Sequence, residues 1–324
     1  MVSRTDSRTL FLLFMPIVIA EFLTGSTPLP SLLSPLTLPT LLGLYGAGAL
    51  LVRELTVKWR KGWPTVFALG CAYGIVEEGL DVKSWFNPHW AGIGILGTYG
   101  RLFGVNWVWA TELTIFHSVF SITIPVALAG LLYPESSGER WLPGRKLPLV
   151  AGLFVLDVLF GFTFTPYTPP AIQYLLALGI AVVLVVVARR LPPSLSTADG
   201  PSRLGGRTLF AVGLASTTSF FLIFWVVPNL PVPPTVDVLL AAALCLSLGL
   251  FLRGNRLSGG QAFSLICGAL GFLIAISILS LTFLQGPPFV GAALALYLVS
   301  VRRRAGGASL PAPGAKQPGN VQLR

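Results

Sequence analysis

Charged side chains are scarce in this sequence. Asp, Glu, Lys and Arg make up 10% of its 324 residues, whereas soluble domains carry about 25%. Hydrophobic residues make up 54%, and the mean hydropathy is +0.78. A soluble core does not need this much apolar surface, but a bundle of membrane-spanning helices does. The composition therefore predicts an all-α, polytopic integral membrane protein whose first partner is the lipid bilayer.

Several functional signatures are also missing. The three cysteines lie inside apolar runs and lack the spacing of a zinc site or a disulfide framework. The sequence contains no nucleotide-binding loop and no cofactor fingerprint, which argues against ATP-driven transport by this chain alone. The net charge of +10 forms no basic stripe with interleaved aromatic residues, so we predict no nucleic-acid partner.

Apolar runs long enough to cross about 30 Å of hydrocarbon are frequent. Ten of them predict ten transmembrane helices, near residues 10–27, 38–54, 64–83, 105–132, 147–165, 171–188, 207–227, 234–252, 262–284 and 287–301. The first run lacks a signal-peptide cleavage site and contains Glu21, so we expect it to be retained.

The basic residues predict the orientation of these helices. With a cytoplasmic N-terminus, all Lys and Arg residues except Lys83 and Arg101 fall in inner segments. This is the positive-inside pattern of a multi-pass protein, here predicted for the cell membrane with both termini cytoplasmic. We call the side of Lys83 the outer side. Arg53 and Glu54, at the inner end of the second helix, are expected to extend towards the interface.

Three segments differ in composition from the spans. Residues 191–206 are polar and rich in Pro and Gly, which predicts a cytoplasmic linker between a polar first half (1–190) and an apolar supporting half (207–304). Residues 305–324 have the composition of a disordered tail. Residues 84–104 are too apolar for a solvated loop and predict a re-entrant or interfacial segment anchored by Trp85, Trp90 and Trp107.

Acidic residues inside the spans are concentrated in the first half. At 1.5 Å per residue, Glu21, Glu77 and Glu112 all lie about 9–10 Å below the outer ends of three different helices, with His117 deeper. Buried ionisable groups usually face a cavity, a partner or a pathway. Asp157, in the middle of the fifth helix, is predicted to be a proton-relay residue, a substrate residue or an interhelical hydrogen-bond partner.

The α-helical period predicts which of these side chains share a face. Glu77 and Asp81 are four residues apart and share one, whereas Glu78 points about 100° away. Asn106, Thr114, His117 and Ser121 form a polar stripe along the fourth helix, and Glu112 lies well off that stripe. We therefore predict an outward-facing site between the first, third and fourth helices. Glu77, Glu78 and His117 are its candidate catalytic residues, and the candidate binding residues are Glu21, Asp81, Asn106, Glu112, Thr114, Ser121 and Asp157.

A hydrolase is the first functional hypothesis for this site. Glu77 or Glu78 would act as general base on water, and His117 would polarise the substrate carbonyl. A di-glutamate at the end of one span, with Phe116–His117 on the next, resembles the CPBP-type intramembrane proteases (CAAX-processing and bacteriocin-processing). The resemblance implies a peptidase with a small-molecule or peptide substrate. The arginine of that family's pattern falls here on Val82, with Lys83 one place later, and no histidine follows His117.

Three alternatives remain open at this point. Ten helices of this length also suit a secondary transporter of a small solute or ion, built from two five-helix repeats. The acids could form buried ion pairs in a non-catalytic assembly or lipid-binding protein, including pairs such as Glu78–Lys83 or Asp81–Arg101. A divalent metal could bind the histidines and acids, although no fixed motif spacing supports it.

Overall fold

Ten long helices dominate the structure, a computed structural model that describes residues 4–194, 197–198, 200–306 and 313–314. They are α1 (Arg4–Ile17, continued by Val18–Phe22), α2 (Thr37–Lys58), α3 (Trp63–Ile75, continued by Val76–Asp81), α4 (Trp107–Leu132), α5 (Lys146–Phe164), α6 (Ala171–Arg190), α7 (Gly206–Val226), α8 (Thr235–Arg253), α9 (Gly259–Leu279) and α10 (Pro287–Gly306). Each predicted run coincides with one helix, which confirms the all-α bundle.

Length and composition alone qualify seven of the described helices to cross a membrane, namely α2 and α4 to α9. The other three carry charged residues that lower their hydropathy: Arg8 and Glu21 in α1, Glu77 and Glu78 in α3, and arginines at the end of α10. These three pack among the qualifying helices. That all ten cross the bilayer stays a prediction.

Four helices contain a π-helical segment, in which the backbone bonds run from residue i+5 to residue i. The segments are Val18–Phe22 in α1, Leu42–Gly46 in α2, Val76–Asp81 in α3 and His117–Thr123 in α4. In α3, for example, Val82 N donates to Glu77 O at 2.9 Å. Such segments are rare and are frequent at functional sites. Within the described residues, all four lie in the first four helices.

The segment between α3 and α4 is packed against the bundle, as predicted for residues 84–104, which we call the lid. It contains one 3-10 turn (Gly94–Gly97) and the strand β1 (Arg101–Leu102), which pairs antiparallel with β2 (Val105–Asn106) between the lid and α4. Arg101 stabilises it by donating from Nη1 to Phe86 O (2.9 Å) and Gly104 O (3.0 Å). Trp107 is exposed and His89 lies on the surface, but the predicted interfacial anchor Trp85 is buried in the core.

The lid is also attached to helices of the other parts of the bundle. Tyr99 donates its hydroxyl to Asp237 Oδ2 of α8 at 2.6 Å, and Gln173 of α6 donates to Phe103 O at 2.9 Å. Burial, together with this hydrogen bond to Asp237, raises the pKa of Tyr99 above its usual value, so the phenol remains the donor. The lid therefore covers the outer ends of several helices at once.

The contacts of Lys83 decide whether the ion pairs considered for the outer end of α3 are formed. Its ammonium is buried and donates to Phe162 O (2.7 Å) and Thr165 O (2.9 Å) at the C-terminal end of α5. A cation at this end of a helix pairs with the terminal carbonyls and interacts favourably with the negative end of the helix dipole. The predicted Glu78–Lys83 and Asp81–Arg101 ion pairs are therefore wrong, because both cations donate to backbone carbonyls.

A second polar cluster lies at the inner end of α2. Arg53 and Glu54 do not extend to the interface as predicted; both are buried and 3.3 Å apart. Glu54 accepts from Arg140 Nε and from the Trp141 backbone, both at 2.9 Å, and Arg53 lies 3.6 Å from the centre of the Trp141 ring. Each charge has a partner, which is the condition under which a buried ion pair is tolerated. The cluster ties the α4–α5 connection to α2.

The later helices pack through glycine contacts and aromatic rings. Gly213 of α7 lies against the backbone of Leu265, and Gly268 of α9 against that of Phe210, a close approach that only small residues allow. The Phe221 ring of α7 contacts Phe116 of α4, which joins the two predicted halves. The division into a polar and a supporting half stays a prediction.

The predicted linker, 191–206, is described except for residues 195, 196 and 199. Ser202 connects it to the α8–α9 turn, donating from N to Arg256 O and from Oγ to Asn255 Oδ1, both at 2.8 Å. The predicted disordered tail, 305–324, lies outside the described residues except at 305–306 and 313–314. There, Gly314 N donates to Lys61 O at 2.9 Å.

Candidate functional site

The four π-helical segments bring their polar side chains to one place. Each segment contributes at least one member: Glu21 from α1, Tyr45 from α2, Glu77 and Glu78 from α3, and His117 from α4. We call these five residues the Glu/His cluster. The sequence predicted that Glu21, Glu77, Glu78 and His117 lie where the first, third and fourth helices meet. In the structure these four residues lie close together.

His117 is the centre of this cluster. Its Nε2 lies 2.9 Å from Glu78 Oε1, and its Nδ1 lies 2.9 Å from Ser121 Oγ and 3.0 Å from Glu77 Oε2. The close crossing of α3 and α4 makes these contacts possible, because a Cβ atom at Gly74 would come within 3.1 Å of His117 Cβ. Although Glu77 and Glu78 are predicted to point about 100° apart, both carboxylates reach the same imidazole ring.

The two carboxylates are held differently. Glu78 also accepts a hydrogen bond from Ser84 Oγ, and Ser84 in turn accepts from Trp109 Nε1 at 3.0 Å. Glu77 Oε2 is buried and has no hydrogen-bond partner among the described residues, and the same holds for the nearby Tyr73 hydroxyl. Buried polar atoms normally find a partner. For Glu77 Oε2 that partner is His117 Nδ1 at 3.0 Å, which forms an ion pair with it when the imidazole is protonated.

Glu21 joins the cluster through Tyr45, a residue that the sequence did not single out. Tyr45 OH donates to Glu21 Oε1, and Thr27 Oγ1 donates to Glu21 Oε2 at 2.5 Å. The rings of Tyr45 and Tyr73 lie 6.1 Å and 6.2 Å from the His117 ring. Tyr45 belongs to the glycine-rich stretch of α2, which by itself indicates only close helix packing.

Burial closes the cluster in this conformation. His117 is 4% exposed, Glu77 1%, Glu78 7% and Glu21 9%. In such surroundings electrostatic interactions are much stronger than in water. The predicted outward-facing site is therefore covered by the lid, and a substrate would need an opening of the surrounding helices.

Asp81 lies at the edge of the cluster, next to α5. A Cβ atom at Gly161 would overlap Asp81 Oδ1, so this carboxylate lies directly against the α5 backbone. Oδ1 has no hydrogen-bond partner among the described residues. Asp157, one turn earlier on α5, lies against Gly43 of α2, where a Cβ would be 2.9 Å from Asp157 Oδ1. Asp81 therefore lies where α3 packs against α5, and Asp157 lies where α5 packs against α2.

Three predicted binding residues do not belong to the five-residue cluster, although Thr114 lies beside His117. Asn106 caps α4 by accepting from Trp109 N at 2.9 Å and donates to the lid carbonyls of Leu96 and Tyr99, so its role is structural. Thr114 lies at the α3–α4 crossing, where its Cα would be 3.3 Å from a Cβ at Gly74. Glu112 is buried, but its Oε2 has no partner among the described residues and it does not reach His117.

The donor set of the cluster fits a divalent metal ion. One atom each from Glu77, Glu78 and His117 can be chosen so that all three lie within 4.8 Å of one another. Two carboxylates and one imidazole are ligands used by zinc and by other first-row transition metals. The unpartnered Glu77 Oε2 supports the fit, because a cation there would satisfy it. No motif spacing in the sequence predicted that Glu77, Glu78 and His117 could bind a metal ion together.

Comparison with known proteins gives one match. An uncharacterized membrane protein family matches residues 10–315 of the chain. The chain belongs to this family. No curated protein and no solved structure matches. The match covers all ten helices except residues 4–9 at the start of α1, so the Glu/His cluster lies within the part of the chain that the family describes.

Proposed function

We propose that this membrane protein is a hydrolase whose reaction takes place inside the bilayer, at Glu77, Glu78 and His117. One observation carries the proposal: the His117 ring lies between two adjacent carboxylates, in a buried cluster built from four π-helical segments. An imidazole with a carboxylate at each nitrogen is a general acid–base arrangement. The resemblance to CPBP-type intramembrane proteases supports the same class of reaction.

Each residue of the centre has a role that follows from its contacts. Glu77, whose Oε2 lies 3.0 Å from His117 Nδ1, takes the proton from an attacking water. The water oxygen bonds to the substrate carbonyl carbon, and the carbonyl oxygen becomes an oxyanion that the Tyr73 hydroxyl stabilises. Protonation of Glu77 weakens it as an acceptor, so a His117 Nδ1–H can exchange its contact with Glu77 for one with the oxyanion. When the intermediate collapses, the proton held by Glu77 passes to the leaving group.

Glu78 and Ser84 act on the position of His117. Glu78 accepts from Ser84 Oγ, and its Oε1 lies 2.9 Å from His117 Nε2, which fixes the ring orientation. We call Glu78 a positioning residue for this reason. Ser84 begins the lid, so any movement of the lid changes the hydrogen bonding of Glu78. This connection gives a physical route from substrate entry to the assembly of the centre.

Hydrolysis by proteoliposomes tests the proposal. The purified protein is incubated with peptide and lipid-ester libraries, and products are detected by mass spectrometry. Glu77→Gln and His117→Ala should lower product formation by about 100-fold or more, the usual contribution of general acid–base catalysis. Glu112→Gln is the matched control, because this buried acid lies outside the trio.

The outcomes separate hydrolysis from a purely structural role. If Glu77→Gln keeps full activity, or if it lowers thermal stability alone, the cluster is an internal support and the hydrolase proposal is wrong. If Glu112→Gln loses as much activity as Glu77→Gln, the loss reflects the burial of acids in general and not this centre.

A secondary carrier is the second candidate, favoured by Asp81 and Asp157. These two acids extend the polar groups from the cluster to α5, which a hydrolase centre does not require. Chains of carboxyl groups carry protons in transporters. In that case a pH gradient should drive solute flux in proteoliposomes, and Asp157→Asn and Glu21→Gln should alter it. Equal flux in the wild type and both variants counts against a carrier.

A further inference from the structure

A groove of about 520 Å³ lies between α1, α2 and α5. Leu13 of α1, Ala47 and Leu50 of α2, and Leu153 of α5 form its walls. Its volume falls in the range of small-molecule sites, about 300–1,000 Å³. Asp157 is the one ionisable group among the residues that line it.

The groove faces the bilayer along α5. This helix has no buried residue, and Leu153 and Leu156 are 51% and 64% exposed although both line the groove. A polar molecule from water would have to cross the lipid-facing surface of α5 to reach it. A molecule dissolved in the bilayer can enter sideways.

Asp157 lies at the depth of the Glu/His cluster. It is seven residues from the outer end of α5 at Phe164, about 10 Å, and Glu77 is about 9 Å below the outer side. On the inner side of Asp157, the groove continues past Leu153 and Val150 to Leu142 without another ionisable group. The groove therefore has a polar position at the reaction depth and an apolar channel leading inward.

Contacts through α5 join the groove to the cluster. Asp157 faces the groove and lies against Gly43, whereas Gly161, one turn later, lies against Asp81 at the edge of the cluster. Between these layers, Phe154 of α5 packs on Tyr73 at 6.1 Å. α5 and α2 therefore both contact the groove and the cluster.

We propose that the groove between α5 and helices α1 and α2 binds the alkyl chain of a membrane amphiphile that enters from the lipid, with its cationic group at Asp157. A carboxylate in an otherwise apolar groove is costly unless it is paired, and such a group pairs it. The identity of this amphiphile as the substrate rests on the proposed hydrolase function, whereas its binding does not.

Photolabelling in proteoliposomes tests the binding directly. The probe is a long-chain alkylammonium with a diazirine in its chain, and its matched partner is the alcohol of the same chain. The alkylammonium should label residues of α2 and α5 that line the groove. Asp157→Asn should lower that labelling roughly tenfold, the effect of losing a hydrogen bond to a charged group, and should leave labelling by the alcohol unchanged.

A matched pair of tryptophan variants tests the location. Leu153→Trp fills the groove and should abolish groove labelling, whereas Val155→Trp, on the same helix at a similarly exposed position that does not line the groove, should not. Equal labelling of α6 and α5, or unchanged labelling in Leu153→Trp, overturns the proposal. Glu77→Gln should keep full labelling. If the wild type is labelled in the groove but hydrolyses nothing, the hydrolase function is rejected and the groove proposal stands.

Discussion

Glu77 Oε2 and the lone pair of a neutral His117 Nδ1 repel each other unless a proton or a metal ion lies between them. Glu77 Oε2 and His117 Nδ1 are 3.0 Å apart, and Glu77 Oε2 has no hydrogen-bond partner among the described residues. A neutral imidazole that donates from Nε2 to Glu78 presents a lone pair at Nδ1. A proton or a metal ion must then lie near Nδ1 and Glu77. The chemistry of the centre depends on which of the two is present.

Metal binding distinguishes these possibilities at the level of single residues. If the trio holds a divalent metal, the purified wild type should contain about one ion per chain, and chelation should lower its melting temperature. At a free metal concentration of 100 times Kd, binding stabilises by about 2.7 kcal/mol. Glu77→Gln should lose both the ion and the stabilisation, and Glu112→Gln should keep them. Elemental analysis and thermal unfolding in detergent measure these effects.

The opposite result has an equally clear meaning. A metal-free wild type whose melting temperature is insensitive to chelators assigns a proton to the position between Glu77 and His117. If Glu112→Gln also lost the ion, the metal would be held by the acids in general and not by the trio of Glu77, Glu78 and His117.

At the scale of elements, Lys83 connects the end of α3 to the end of α5. Its two charge-assisted hydrogen bonds to Phe162 O and Thr165 O each contribute about 1.5–3 kcal/mol. Lys83→Met keeps the length of the side chain but removes both bonds, so we expect a clear loss of thermal stability. Lys146→Met, at the exposed other end of α5, is the control and should change stability little. Comparable losses in both variants would mean that Lys83 does not hold α5.

The elements also show which features a sequence can predict. Helix number and approximate bounds followed from apolar length, and the common depth of Glu21 and Glu77 followed from the rise per residue. The side-chain contacts did not follow, because directions on one helix do not show where a long Glu side chain ends against a neighbouring helix, and α3 and α4 contain π-helical segments at these positions. Glu78 was therefore placed away from Glu77, although both contact His117.

Contacts between distant helices were out of reach for another reason. Tyr45 meets Glu21 because Gly46 lets α2 approach Leu13 of α1 and Gly48 lets it approach Tyr73 of α3. Small residues indicate that helices come close, but not which helix is the neighbour. Likewise, the sequence predicted that Arg53 and Glu54 extend to the interface, because it did not show that Arg140 and Trp141 lie beside them in the fold.

At the scale of the whole molecule, the two polar clusters lie at opposite ends of the bundle. The Glu/His cluster lies below the lid, near the outer end of α3, whereas the Arg53–Glu54 cluster lies at the inner end of α2 and joins the α4–α5 connection. The first has unpartnered atoms, and the second has a partner for each charge. This difference agrees with the proposed function, in which the cluster near the outer end reacts and the one at the inner end stabilises the fold.

The predicted orientation can be tested with single cysteines in a background from which Cys71, Cys245 and Cys267 have been removed. His89→Cys lies on the exposed lid, and Arg145→Cys and Arg256→Cys lie at exposed inner positions. A membrane-impermeant maleimide applied to intact cells should label His89→Cys alone, and the other two only after permeabilisation. Four helices, α5 to α8, separate positions 145 and 256, so these two must behave alike if all four cross the bilayer. Labelling of one without the other would mean that a helix between them does not span. Labelling of both but not of position 89 would reverse the orientation and place the Glu/His cluster near the cytoplasmic face.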